Sequence, residues 1–204
     1  MTLQTWFEAA SINPDKGLCL SIGTDGLDPK KNQLMSVSYK SEKIPLQTIY
    51  VKQPLSEADA EKVQEYTGVS AERYSSKAIY FNEALLKLKP ILDNVDFIVS
   101  YSCSSFLKPW IKNVLTCMVD FPLLDLSAVF KLKDRNGIIR YDLTTIEALD
   151  KSIADQTTFI RAGYSIESLV HRYIGCPVLK GKPALETRPQ QLYLLFGIAL
   201  QLIF

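Results

Sequence analysis

Three strand-like runs, at residues 17–23, 33–40 and 46–52, come before any sustained helical pattern and constrain the fold more than any other feature. In Gln33-Leu34-Met35-Ser36-Val37-Ser38-Tyr39 and Leu46-Gln47-Thr48-Ile49-Tyr50-Val51-Lys52 the residues suit a pleated, half-buried surface. The link between the first two, Thr24-Asp25-Gly26-Leu27-Asp28-Pro29, is built from turn-forming residues. Connections this short imply an antiparallel meander.

The periodicity then changes. A helix is expected from a Ser56 cap to Tyr66, stopping at Thr67-Gly68, and another over 81–92, where Ala84, Leu85, Leu88, Ile91 and Leu92 share one face. A short apolar strand at 96–101 precedes a helix over 106–117 that turns Trp110, Ile111, Val114 and Leu115 inward. Residues 121–126 read as a further strand leading into a helix at 126–132. Asn136-Gly137 predicts a hairpin turn between 130–133 and 138–141, within an irregular insertion spanning about 133–161. Ser165 caps a helix that runs to Tyr173 and stops at Gly175, and 189–204 supplies the last helix. These elements suggest an α/β protein with a mixed five-stranded sheet flanked by helices, in one domain covering 1–204.

Composition narrows the class. With 204 residues, 47% hydrophobic and 22% charged, the chain can bury a substantial core and is neither disordered nor fibrous. Its 23 basic and 22 acidic residues nearly cancel, so overall charge does not mark a nucleic-acid binder. Cys19, Cys103, Cys117 and Cys176 have no paired spacing, which favours free thiols in a reducing, cytoplasmic compartment. The first residues lack the pattern of a secretory signal, and the apolar tail at 192–204 is shorter than the ~17–25 residues that span a bilayer. No membrane association is expected.

The stretch Leu18-Cys19-Leu20-Ser21-Ile22-Gly23-Thr24-Asp25-Gly26-Leu27-Asp28-Pro29 resembles the first motif of the proofreading-type 3′-to-5′ exonucleases, the DEDD superfamily on a ribonuclease-H-like fold. In that family the strand carries Asp-x-Glu before a Thr-Gly-Leu-x-Pro turn, and the two carboxylates hold a pair of Mg²⁺ ions. The matching residues here are Ser21 and Gly23. Ile98 to Leu107 is similar to the second motif, allowing one extra residue near Cys103; Tyr101 and Ser102 stand for His-Asn, and Leu107 stands for the Asp. Tyr164-Ser165-Ile166-Glu167-Ser168-Leu169 resembles the lead-in to the third motif, which puts Lys182 at the general base and Thr187 at the last metal ligand. The resemblance implies a ribonuclease-H-like fold whose catalytic positions, Ser21, Gly23, Leu107, Lys182 and Thr187, have lost their chemistry. Hard divalent ions need anionic oxygens, so neither a metal nor another cofactor is expected.

Asp25, Asp28 and Glu186 lie near these positions and define the alternative, an active exonuclease using displaced carboxylates with Mg²⁺ or Mn²⁺. On a strand a one-residue slip turns a side chain to the other face, and Asp is common in turns without any catalytic role. The single histidine, His171, lies mid-helix and reads as structural. Ser102, Ser104 and Ser105 lack a nucleophile elbow and read as partners for backbone groups at a helix start. Lys30, Lys31, Lys108, Lys112, Lys180 and Lys182 are candidates to gather at the old cleft with Tyr101 and Trp110 as stacking partners. The expected function is a silent exonuclease-fold module that binds single-stranded nucleic acid, chiefly through Lys30, Tyr101, Lys108 and Lys182, or a replication or repair protein. A purely structural, oligomeric protein is a third reading.

Overall fold

The structure is a computed structural model and describes residues 1–53, 62–64, 67–160, 163–175 and 184–204. In chain order, α1 (Leu3–Ala9) precedes the strands β1 (Gly17–Thr24), β2 (Leu34–Lys40) and β3 (Gln47–Tyr50). Helices α2 (Ala71–Lys77) and α3 (Phe81–Leu92) lead to β4 (Phe97–Ser100), and α4 (Lys108–Asn113) separates β4 from β5 (Leu123–Asp125). Then come α5 (Leu126–Asp134), α6 (Ile146–Thr157), α7 (Ile166–Ile174) and α8 (Ala184–Gln201).

The five strands form one mixed sheet in the order β3-β2-β1-β4-β5. β1 pairs antiparallel with β2, and β2 with β3, which is the meander expected from the short turns. β4 and β5 join parallel on the other side of β1. As the middle strand, β1 is buried along nearly its whole length, so its sequence reads as an apolar run rather than a clean alternation. This is the α/β, ribonuclease-H-like architecture.

Alternate residues of β1 feed two separate cores. Leu18, Leu20 and Ile22 pack with Leu88 of α3 and Trp110 of α4 on one face of the sheet. Cys19 on the opposite face packs with Trp6 and Phe7 of α1 and with Leu195 and Phe196 of α8. Each fully buried side chain of this size contributes about 1.5–3 kcal/mol relative to exposure. The last helix α8 therefore lies across β1 and β2, which brings its first turns to the carboxyl end of β1.

Several boundaries differ from the sequence expectation. No hairpin forms at Asn136-Gly137: residues up to Asp134 belong to α5, which buries Val129, Phe130 and Leu132 in the core. Asn136 takes a left-handed conformation (φ 53°) just beyond the helix, and the Gly137 N–H bonds back to Leu132 O at 2.9 Å. Asn-Gly suits a helix terminus as well as a hairpin, because both need positive φ. The region expected to be irregular contains α6, capped by Thr145 through the Ala148 N–H and held by buried Ile146, Leu149 and Ile153. The expected helix at 106–117 is three pieces: a π-helical turn at Cys103–Leu107, α4, and a 3₁₀ turn at Thr116–Met118. The final helix begins at Ala184 rather than at Pro189, whose missing N–H is accommodated within the second turn. α7 starts and stops where expected, at Ser165 and at Gly175 with φ +80°. Most of the helix expected from Ser56 lies outside the described residues.

Candidate functional site

β1 and β4 run side by side, with Leu18 opposite Ile98 and Cys19 opposite Val99, and their chains diverge at the carboxyl ends, β1 toward β2 and β4 toward α4. Divergence at such a point opens a crevice in α/β sheets. Here it is a cavity of about 460 Å³. β1 contributes Ser21 and Ile22, and the end of β4 contributes Ser100, Tyr101 and Ser102. One wall is Ser105, Phe106 and Leu107 from the π-helical turn; the other is the start of α7 with Arg188 and Leu192 of α8. Leu27 from the β1–β2 turn overhangs the mouth and is 81% exposed.

The corner after β4 is fixed from beneath. Ser102 sits in the left-handed region at φ 54°, and Asp125 accepts the N–H groups of Ser102 at 3.1 Å and Cys103 at 2.9 Å. The same carboxylate accepts the N–H and hydroxyl of Ser127, at 2.9 and 2.8 Å, and so caps α5. Asp125, rather than Ser102, Ser104 or Ser105, thus satisfies the backbone at this helix start, which corrects the expectation for those serines. The Lys108 N–H then bonds to Cys103 O across five residues, the mark of a π turn that accommodates an additional residue. A β-bulge between Gly23 and Thr24 similarly bends the end of β1.

Of the residues expected at the catalytic positions, Ser21 and Leu107 line the cavity. Gly23 lies at the bulge opposite Ser36, and Thr187 is buried on α8. Lys182 and Lys180 lie outside the described residues. Among the described residues, no cluster of three or more His, Cys, Asp and Glu side chains is arranged to hold a metal ion. The displaced carboxylates are already engaged. Asp25 accepts the Gln33 N–H at 2.6 Å, closing the β1–β2 turn. Asp28 accepts the Lys30 N–H at 3.0 Å and pairs with Lys31 at 3.7 Å. Glu186 is bound by Arg73 and by the Tyr50 hydroxyl. Burial and that bond to Glu186 push the Tyr50 phenol well up, so it stays a neutral donor.

The expected binding residues separate. Tyr101 lines the cavity, and burial, followed by the negative charges of Asp125 and Glu167, pushes its phenol up to about 12. Lys30 is exposed in the β1–β2 turn. Lys108 is a correction: it lines a different cavity of about 640 Å³, with Lys112, and approaches Asp150 at 3.8 Å. Leu107 and Lys108 are consecutive in a helical path, so they project in directions ~100° apart. Trp110 is a second correction, since it is 0% exposed in the core and offers no face for stacking. Cys103 is buried and its thiol is pushed well up, chiefly by burial. His171 is exposed on α7.

One polar residue of the cavity escaped the sequence reading. Arg188 follows Thr187 on α8 and shares a face with Leu192 one turn later, and this i,i+4 relation was the available signal. Its Nε is buried and has no hydrogen-bond partner among the described residues.

No protein-family model and no curated protein matches the sequence. Among solved structures the fold is similar to exonuclease I in the ExoI/SSB-Ct complex, with 13% sequence identity and a TM-score of 0.51. The similarity covers 89% of this chain and 42% of that one, so the chain spans less than half the length of this neighbour. At that identity the likeness is one of fold: a mixed five-stranded sheet with flanking helices, as in an exonuclease.

Proposed function

We propose that this chain is a catalytically silent protein of the exonuclease fold, a divergent relative of the DEDD superfamily, whose cleft binds without cutting. The carrying observation is the lining at the carboxyl ends of β1 and β4: hydroxyls from Ser21, Ser102 and Ser105 beside Leu107 and Phe106. Phosphoryl transfer assisted by two ions needs carboxylates to clamp them. The π turn at Cys103–Leu107 supports the motif correspondence, because it accommodates the extra residue that aligning Tyr101 and Leu107 requires. The partner class is single-stranded nucleic acid or a replication or repair protein, in the cytoplasm. Among the described residues no helix is long and apolar enough to cross a membrane. The complex with SSB-Ct belongs to the neighbour and offers only an analogy for a protein partner.

The active alternative would recruit Asp25, Asp28 and Glu186, and each is held by the contacts described above. Purified protein incubated with labelled single-stranded DNA and RNA, in Mg²⁺ and in Mn²⁺, separates the readings. Binding that weakens as salt rises, with the strands left intact, is expected. Metal-dependent shortening from the 3′ end that survives repurification would replace this reading by the active one.

A further inference from the structure

The cleft differs from a metal-holding site in polarity as well as in charge. Apart from Glu167, its polar groups can all donate: the Arg188 guanidinium only donates, and the neutral phenol of Tyr101 and the hydroxyls of Ser21, Ser102 and Ser105 can donate as well as accept. A site rich in carboxylates attracts cations, which in turn hold phosphate; a site rich in donors meets the phosphate oxygens directly. Arg188 is suited to this because its planar fork can present two parallel N–H groups to two oxygens. Its Nε is buried and unpartnered among the described residues, a cost that an oxyanion seated against the guanidinium would relieve.

The first turn of α7 reinforces the same region. Ser165, Ile166 and Glu167 line the cavity, and the Ser165 side chain accepts the Ser168 N–H at 3.1 Å and bonds the Ser168 hydroxyl at 2.9 Å, leaving the Ile166 and Glu167 amides to other acceptors. The amides of Ile166 and Glu167 therefore belong to the positive end of a nine-residue helix. Ile22, Leu27 and Phe106 add an apolar wall within the same 460 Å³. This volume is within the ~300–1,000 Å³ of small-molecule sites. An oxyanion bonded at one end and a flat ring against the apolar wall describe a nucleotide.

We propose that Arg188 binds the phosphate of a nucleotide directly, without a divalent ion, while Ile22, Leu27 and Phe106 receive the base. This rests on the reading of the cleft as a nucleic-acid site and specifies how it holds its ligand. Glu167 is exposed at the rim and is the one acidic side chain in the lining among the described residues, so it opposes the bound phosphate.

Calorimetric titration of the full chain in EDTA tests the assignment, with thymidine 5′-monophosphate, thymidine, inorganic phosphate and a thymidine oligonucleotide as probes. The monophosphate is expected to bind more tightly than either thymidine or phosphate alone, with no gain when Mg²⁺ replaces EDTA. Arg188→Gln is expected to weaken the monophosphate about tenfold and to leave thymidine unchanged. Glu167→Gln, an isosteric change at an exposed side chain, is expected to tighten the monophosphate roughly threefold. Equal affinity for monophosphate and thymidine, a requirement for Mg²⁺, or no response to either substitution overturns the proposal. So does Arg188-dependent capture of a short apolar peptide through its free carboxylate in place of the nucleotide. Oligonucleotide binding indifferent to Arg188→Gln removes this inference and leaves the nucleic-acid reading intact; failure of the oligonucleotide to bind removes that reading too.

Discussion

Arg73 Nη2 donates to both carboxylate oxygens of Glu186, at 2.7 and 3.0 Å, and so ties α2 to the first turn of α8. Glu186 also accepts the Tyr50 hydroxyl at 2.6 Å, which adds β3 to the junction. Arg73→Ala leaves this largely covered acid with one donor, and the urea midpoint should fall by an amount equivalent to about 1 kcal/mol. Arg73→Lys keeps the charge and should recover part of it, since both contacts come from the single nitrogen Nη2. An unchanged midpoint in both variants would mean that the contact contributes nothing to the fold.

The same engagement bears on metal binding. A ligand specific to the folded state raises the melting temperature in proportion to the logarithm of its concentration over Kd. With Asp25, Asp28 and Glu186 each committed to another group, millimolar Mn²⁺ or Mg²⁺ is expected to leave the thermal transition in place. A rise that grows with metal concentration and disappears in Glu186→Gln would reinstate the displaced-carboxylate enzyme.

Asp125 serves four donors from two segments: the N–H groups of Ser102, Cys103 and Ser127 and the Ser127 hydroxyl. Asp125→Ala orphans these groups where water reaches poorly, and should cost on the order of 3 kcal/mol in chemical denaturation. Asp125→Asn, which keeps one acceptor oxygen, should cost less. A loss below about 0.5 kcal/mol for the alanine variant would contradict the role of this residue as the joint cap.

Asp150 contributes a pH dependence opposite in sign to that of a salt-bridged carboxylate. Burial raises its carboxyl to about 6; the Asp125 N–H bond and Lys108 oppose the shift, and the Asp125 charge adds to it. In the unfolded chain an aspartate titrates near ~4. Between these values the folded protein binds the proton first, so this residue raises stability as pH falls from about 6 to about 4 and penalises the fold above about 6. Asp150→Asn can still accept the Asp125 N–H. It should remove that part of the pH slope and stabilise the protein at neutral pH by on the order of 1–3 kcal/mol. Denaturation midpoints across pH 4 to 8 check the sign (a window of roughly two units either side of the folded value); a variant less stable than wild type only at neutral pH would reverse it.

Tyr101 and Lys108, equivalent as candidates in the sequence, should behave differently. Tyr101 lines the cleft, whereas Lys108 faces Asp150 in the other cavity. Tyr101→Ala is expected to weaken single-strand binding by roughly tenfold or more, the scale of one lost stacking contact. Lys108→Ala is expected to leave it within a factor of about two. Filter binding at fixed salt distinguishes them, and the opposite ranking would place the strand outside the cleft.

Much of the fold was legible because its strongest signals are local. The meander, the stop at Gly175 and the apolar strand at Phe97–Ser100 follow from turn residues and periodicity within short windows. α6 was hidden because its apolar residues Ile146, Leu149 and Ile153 are diluted by charged neighbours, and its packing against α5 is a tertiary fact. Asn136-Gly137 misled because one backbone preference serves two structures. In the cleft, Ser21, Tyr101 and Leu107 were recoverable from motif spacing. Arg188 has only its i,i+4 relation to Leu192 as a local signal, and the folded path of α8 decides that it, rather than the buried Thr187, reaches the cavity.

The π turn after Ser102 has a consequence for engineering activity into this scaffold. It holds Leu107 against the cleft at only 1% exposure. Acids introduced at 21, 23, 107 and 187 would therefore include one that starts from a dry position, where a carboxylate is costly. Building a catalyst on this chain would call for opening that wall to water together with the new side chains.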